Sequence, residues 1–151
     1  DITGYHWLIV VVTLAVVGVA VLLHFEILGG ISRRLDRLSG WAPRSRVLLV
    51  IIALMLTHVL EIWLFGVVYY VTLQWPGFGH LHAPGQAIGV ETLFDFVYYS
   101  AVVYTTLGFG DMVPVGPVRF LTGTQSLVGL VLITWSASFT YLQMERHWNG
   151  S

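Results

Sequence analysis

Four apolar stretches run along the 151-residue chain, separated by shorter polar segments. Three of them are long enough to cross a membrane, because a hydrocarbon core about 30 Å thick needs roughly 20 residues of helix. They extend from about His6 to Leu28, from about Val47 to Leu73 and from about Pro117 to Gln143. The pattern therefore predicts three transmembrane helices.

The fourth apolar stretch, from about Thr92 to Thr105, is too short to cross and ends at a glycine-containing string. Thr92 and Asp95 have the spacing of a capping box, in which the hydroxyl and the acid satisfy free amides at a helix start. Non-helical backbone is tolerated at membrane depth only where it is buried in protein or lines a watery cavity. We therefore expect a short re-entrant helix followed by a pore-lining loop.

Composition supports a membrane protein. Apolar residues make up 56% of the chain and charged residues 10%, with a mean hydropathy of +0.79. These values lie outside the usual range of soluble domains. The formal net charge of -1 gives no reason to expect nucleic acid as a partner, and the lack of cysteine excludes disulfides and thiolate metal sites.

Arginine predicts the orientation. The chain has seven basic residues and all are arginine, and five of them stand between the first two apolar stretches: Arg33, Arg34, Arg37, Arg44 and Arg46. Loops rich in basic residues are usually cytoplasmic. We therefore expect the N-terminus outside, the glycine string near the outer face and the C-terminus in the cytoplasm of a cell whose plasma membrane holds the protein.

The string from Thr105 to Asp111 reads Thr-Thr-Leu-Gly-Phe-Gly-Asp. Its alternating glycines allow backbone conformations that residues with a Cβ hold only at a cost, so that successive carbonyls can turn the same way. Carbonyl oxygens arranged in this way can replace the hydration shell of a potassium ion.

The segment 94–114, FDFVYYSAVVYTTLGFGDMVP, together with the span that follows it, resembles the pore domain of potassium channels, of the single-pore-loop, prokaryotic type. The resemblance covers about residues 47–143 and adds one N-terminal helix to that pattern. It implies an outer helix, a pore helix, a filter and an inner helix, with four chains completing one filter. Many members have Val-Gly-Tyr-Gly where this chain has Leu-Gly-Phe-Gly.

The resemblance also implies roles for individual residues. The carbonyls that would coordinate K⁺ belong to Thr106, Leu107, Gly108 and Phe109, in a filter that extends to Gly110, and the Thr106 hydroxyl would form the innermost ring. The side chains of Leu107 and Phe109 would pack against the pore helix. Support would come from Thr105 and from Asp111, whose carboxylate would pair with Tyr99. Val102 stands where some members have a buried acid, and Phe109 lacks the hydroxyl of tyrosine.

The third span is expected to line a cavity below the filter. Val131, Thr134 and Ser138 share one helical face and form a partly polar stripe. Alternatively, the two hydroxyls bond to their own helix, as is common for serine and threonine. Gly129 is a candidate gating hinge, although glycine in membrane helices more often permits close packing.

His58 and Glu61 lie inside the second span, three residues apart on one face. Ionisable groups within a membrane are costly and usually paired or functional. Three interpretations remain open: a structural pair, a proton-sensing contact between the first two helices, and a metal site that also uses His24 or Glu26. His80 and His82 in the outer segment are expected to be solvated; the alternative is that they transmit external pH to the filter, since histidine titrates in the physiological range.

These observations favour an all-α membrane protein with three transmembrane helices, a re-entrant pore helix and a filter loop, assembled as a homotetramer in lipid. We expect residues 1–46 to form a peripheral helix with a basic loop, and residues 47–151 the pore domain. The expected function is passive K⁺ conduction without enzymatic activity or a cofactor other than the permeant ion. A non-selective cation channel, a subunit of an ion-uptake transporter and an intramembrane enzyme are the alternatives.

Overall fold

The computed structural model describes residues 2–85 and 89–148. The helices are α1 (Ile2–Arg37), α2 (Pro43–Thr72), α3 (Leu93–Tyr104) and α4 (Arg119–Trp148). A 3-10 helix (Pro76–Phe78) and two short strands, β1 (His80–His82) and β2 (Val113–Val115), complete the described elements. The protein is an all-α membrane protein with a minor two-stranded sheet.

The three long helices meet the length and hydropathy of membrane spans. Their apolar segments are Gly4–Arg37, Pro43–Thr72 and Arg119–Arg146. The prediction of three spans is confirmed, although the helices extend further than the apolar pattern suggested. The end of α1 is fastened to the start of α2, because the Arg46 guanidinium donates to the Leu35 carbonyl at 2.9 Å.

The short helix α3 begins as its sequence predicted. The Asp95 amide donates to the Thr92 hydroxyl at 3.3 Å, and the Thr92 amide donates to the Asp95 carboxylate at 2.8 Å. This reciprocal pair is a capping box. The Asp95 carboxylate accepts hydrogen bonds from the Thr92 backbone amide and from the Thr92 hydroxyl. These two bonds, the first more than the second, lower the pKa of Asp95.

Helix α3 is wedged between α2 and α4, where close backbone approach and buried hydrogen bonds hold it. A Cβ at Gly66 of α2 would lie 2.8 Å from Val97 Cγ2, so the glycine allows the two helices to meet. The Ser100 hydroxyl donates to the Ile62 carbonyl at 2.8 Å, and the Gln125 amide donates to that hydroxyl at 2.7 Å. One serine of α3 is thereby bonded to both flanking helices.

Helix α1 lies against α2 and α4, and it contributes buried side chains to the core. These include Ile9, Val16, Ala20 and Leu28. Many other large apolar side chains on all three spans are exposed in the single chain. In a membrane protein, such surfaces face lipid or a neighbouring chain.

The two strands tie the segment after the glycine string to the outer segment. Strands β1 and β2 pair antiparallel, with His80 opposite Val115 and His82 opposite Val113. Two glycines with positive φ, Gly79 at 100° and Gly116 at 90°, pack against each other where the paired segments turn. This sheet was not predicted from the sequence, because three-residue strands carry too little pattern to identify them.

Candidate functional site

The backbone of the glycine string alternates in handedness. Positive φ values occur at Thr106 (59°), Gly108 (58°) and Gly110 (77°), while Leu107 and Phe109 between them stay outside the positive region. Thr106 is the one non-glycine residue with positive φ in the part of the chain that is described. An alternation of this kind can turn successive carbonyls toward one side, where they can bind a cation.

The beginning of this loop is fixed to the end of α3. The amides of Leu107 and Gly108 both donate to the Val102 carbonyl, at 3.0 and 3.4 Å. The Thr105 hydroxyl donates back to the Ala101 carbonyl at 2.8 Å. These amides donate to a carbonyl of α3 and thereby hold the beginning of the loop in place. The hydrogen bonds do not use the carbonyls of the loop itself.

The side chains of Leu107 and Phe109 are largely exposed in the single chain, so their packing against the pore helix stays a prediction for the assembled protein. We predicted that both would lie against the pore helix, yet they are 57% and 64% exposed in the single chain. Two large apolar side chains are therefore left without cover by their own chain.

The aromatic partner of Asp111 was also assigned to the wrong residue. The Tyr98 hydroxyl donates to the Asp111 carboxylate at 2.7 Å, whereas the Tyr99 hydroxyl lies 2.9 Å from that of Thr122 on α4. Neighbouring residues on a helix point about 100° apart. Tyr98 therefore faces the loop, while Tyr99 is buried between helices.

Gly129 of α4 lies against the end of α3. A Cβ at this position would overlap the Tyr104 carbonyl, so Gly129 permits close packing at the base of the glycine string. This contact agrees with the packing alternative, and its use as a hinge stays a prediction.

Two hydroxyls of α4 bond to their own helix and are also exposed. Thr134 donates to the Leu130 carbonyl at 2.8 Å, and Ser138 donates to the Thr134 carbonyl at 3.1 Å. Val131, on the same face, is exposed too. The stripe is therefore open in the single chain, with the internal hydrogen bonds that we gave as an alternative.

A buried polar cluster lies beneath the glycine string. The Glu61 carboxylate is fully buried and receives three contacts: His24 Nδ1 at 2.8 Å, His58 Nδ1 at 3.1 Å and the Tyr104 hydroxyl. The Ser136 hydroxyl lies 3.3 Å from His24 Nε2. These five side chains come from all four helices, and we call them the Glu61 cluster.

Sequence reasoning found only part of this cluster. It identified the His58 and Glu61 pair and offered His24 or Glu26 as partners, but Glu26 is exposed and only His24 joins. Tyr104 and Ser136 were missed. A signal was present for Tyr104, since it is the last residue of a short apolar helix and immediately precedes the glycine string.

The donor atoms of His24, His58 and Glu61 lie within 4.8 Å of one another. Two imidazoles and one carboxylate are a donor set that zinc accepts. However, Nδ1 of each histidine already lies at hydrogen-bond distance from a Glu61 oxygen, and Tyr104 bonds to the same carboxylate. The atoms fit a proton-bonded network without an ion.

The comparison with known families supports a channel. A family model described as an ion channel matches residues 57–145, which is more than half of the chain and includes α3, the glycine string and most of α4. No curated protein and no solved structure matches the chain significantly. The matched segment holds both the alternating loop and most of the residues of the Glu61 cluster. The chain therefore belongs to the ion channel family.

Proposed function

We propose that four copies of this chain form a potassium-selective channel that conducts K⁺ passively across the plasma membrane. The alternation of φ from Thr106 to Gly110 is the observation that carries the proposal. It provides a row of carbonyls for several stacked ion sites, on which selectivity for K⁺ rests. The coordinating carbonyls belong to Thr106, Leu107, Gly108 and Phe109.

The need for several copies follows from the geometry of one chain. A single loop presents carbonyls from one side only, and an ion without its water needs oxygen ligands around it. The exposure of Leu107 and Phe109 supports assembly, because neighbouring chains would cover these side chains. A closed ring of four gives each loop two neighbours and leaves no free edge.

The electrostatics of α3 favour a cation. The helix begins with a capped N-terminus and ends at Tyr104, directly before the loop. The C-terminal end of a helix carries a partial negative charge. Four such ends directed toward one axis would stabilise a cation held below the filter.

Helix α4 would line the cavity between the filter and the cytoplasm. Its stripe of Val131, Thr134 and Ser138 is exposed in the single chain and would face the water-filled axis in a tetramer. In this arrangement α1 is peripheral, the N-terminus is outside and the arginine-rich connection is cytoplasmic.

Flux through purified protein in liposomes tests the proposal. We expect a K⁺ gradient to drive flux without an energy source, Ba²⁺ to block it and replacement of K⁺ by Na⁺ to remove it. Equal fluxes of K⁺ and Na⁺ would instead indicate a non-selective cation channel. Flux that saturates at a slow turnover and resists Ba²⁺ would indicate a transporter subunit.

A further inference from the structure

The Glu61 cluster joins all four helices at the base of the filter. Glu61 and His58 come from α2, His24 from α1, Tyr104 from α3 and Ser136 from α4. We infer that this cluster is a proton-binding site through which acid reduces K⁺ conduction. The inference rests on the proposed channel function and adds a regulatory ligand to it.

The hydrogen bonds define where protons already are. An ionised carboxylate only accepts hydrogen bonds, so the His24 Nδ1 that faces Glu61 carries hydrogen. The Nδ1–H of His58 is shared between the Glu61 carboxylate at 3.1 Å and the Tyr104 oxygen at 2.8 Å. The Tyr104 hydroxyl donates to the same carboxylate. With both imidazoles neutral, the cluster has one buried negative charge and three donors directed toward it.

The same geometry shows where an added proton can bind. Nε2 is the remaining basic atom of each imidazole, and His24 Nε2 faces the Ser136 hydroxyl at 3.3 Å. A hydroxyl can donate or accept, so Ser136 can accommodate either state of His24 by rotating its hydrogen. The side chain of His58 is 18% exposed in the single chain, so it is less enclosed than the fully buried Glu61 and His24.

Charge favours proton uptake at this position. The groups that face Glu61 are His24 from α1, His58 from α2 and Tyr104 from α3. Helix α4 contributes two uncharged side chains, Ser136 and Trp135, which contact the His24 ring. A buried net charge is costly, so a first added proton that neutralises the cluster is stabilised.

Tyr104 connects the cluster to the filter. Its side chain is fully buried with its hydroxyl on Glu61, its carbonyl packs against Gly129, and the filter begins two residues later at Thr106. A protonated imidazole forms a charge-assisted hydrogen bond that competes with Tyr104 for the carboxylate. Acid therefore loosens the hold on the residue that anchors the filter base.

The experiment is K⁺ flux from liposomes as a function of pH, with EDTA present. For the unmodified chain we expect flux to fall at least about threefold between roughly pH 8 and pH 5.5. Glu61→Gln removes the charge while keeping the shape, and we expect a flat profile. His24→Gln and His58→Gln are each expected to reduce the pH response as well. They provide the test if Glu61→Gln does not assemble.

The control is the double variant His80→Gln, His82→Gln, which removes two exposed histidines of β1 and should keep the full pH response. A flat profile of the unmodified chain would overturn the inference, as would a response that disappears in the control. A response that appears only when Zn²⁺ replaces EDTA would overturn it in favour of a metal site. Absence of K⁺ flux at every pH would contradict the channel function itself.

Discussion

The filter loop, residues 105–111, and the Glu61 cluster are neighbours in the fold, yet they are built in opposite ways. The loop uses backbone atoms and leaves Leu107 and Phe109 exposed, whereas the cluster uses side chains that are almost entirely enclosed by one chain. In the proposed tetramer other copies would complete the loop, whereas the cluster is closed within one chain. Assembly and regulation would then depend on different parts of the chain.

A change in the loop should affect conduction most. Gly108→Ala places a Cβ at φ 58°, where nothing lies within 4 Å, so backbone strain is its main effect. Left-handed backbone costs a residue with Cβ roughly 1–2 kcal/mol, and every copy would carry that cost. We expect K⁺ flux in liposomes to fall at least about tenfold while the protein remains folded.

Gly85→Ala is the matched control for Gly108→Ala. Gly85 also has positive φ, at 77°, and open space around its Cα, but it lies in the outer segment. This variant should carry similar strain and keep its flux. If both variants lost flux equally, the backbone of the filter would have no special role.

A change at the contact between the two regions should affect stability. Gly129→Ala would force α4 away from the Tyr104 carbonyl, and overpacking of this kind costs about 1–3 kcal/mol. Gly123→Ala on the same helix meets nothing within 4 Å and should be neutral or stabilise by up to about 1 kcal/mol. Thermal unfolding in detergent compares the two, and equal midpoints would show that the close contact does not contribute to stability.

Substitution of two neighbouring tyrosines should distinguish an effect on the loop from an effect on the helical core. Tyr98→Phe removes the hydrogen bond to Asp111 and should alter the duration of channel opening with little change in stability. Tyr99→Phe removes the contact with Thr122 and should cost about 0.5–1.5 kcal/mol of unfolding free energy. Single-channel recording measures the duration of opening, and thermal unfolding measures stability. If Tyr99 is the partner of Asp111 in the assembled protein, the two variants will show the opposite results.

The smallest effect is expected at the start of α3. Thr92→Ala removes a helix cap and should cost about 1 kcal/mol at neutral pH. Hydrogen bonds from Thr92 lower the pKa of Asp95, so their stabilisation is present above the ordinary carboxyl pKa near about pH 4 and is lost as pH falls through the lowered value. Thr92→Ala removes the hydroxyl and keeps the backbone amide that donates to Asp95, so the difference in unfolding free energy between the variant and the unmodified chain should narrow in strong acid without disappearing. A difference that stays constant down to that range would exclude a contribution from the Asp95 charge.

The sequence predicted the features that rest on local pattern. Apolar length identified the three spans, and the spacing of Thr92 and Asp95 identified the start of α3. The glycines indicated the alternating loop, although the left-handed Thr106 has no such signal because its conformation is imposed by its neighbours.

Contacts between distant segments were harder to predict. Glu61 meets His24 across 37 positions and Tyr104 across 43, and no periodicity within one helix reveals such pairs. The error between Tyr98 and Tyr99 has the same origin, since a rotation of one residue on α3 depends on how the helix is packed against α2 and α4.

The most direct test of a potassium-selective filter is the reversal potential of a single channel in a planar bilayer with K⁺ on one side and Na⁺ on the other. Each tenfold preference for K⁺ displaces this potential by about 59 mV. We predict a displacement of at least about that size toward the K⁺ equilibrium potential. A reversal potential near zero, with currents of similar size carried by both ions, would contradict the account.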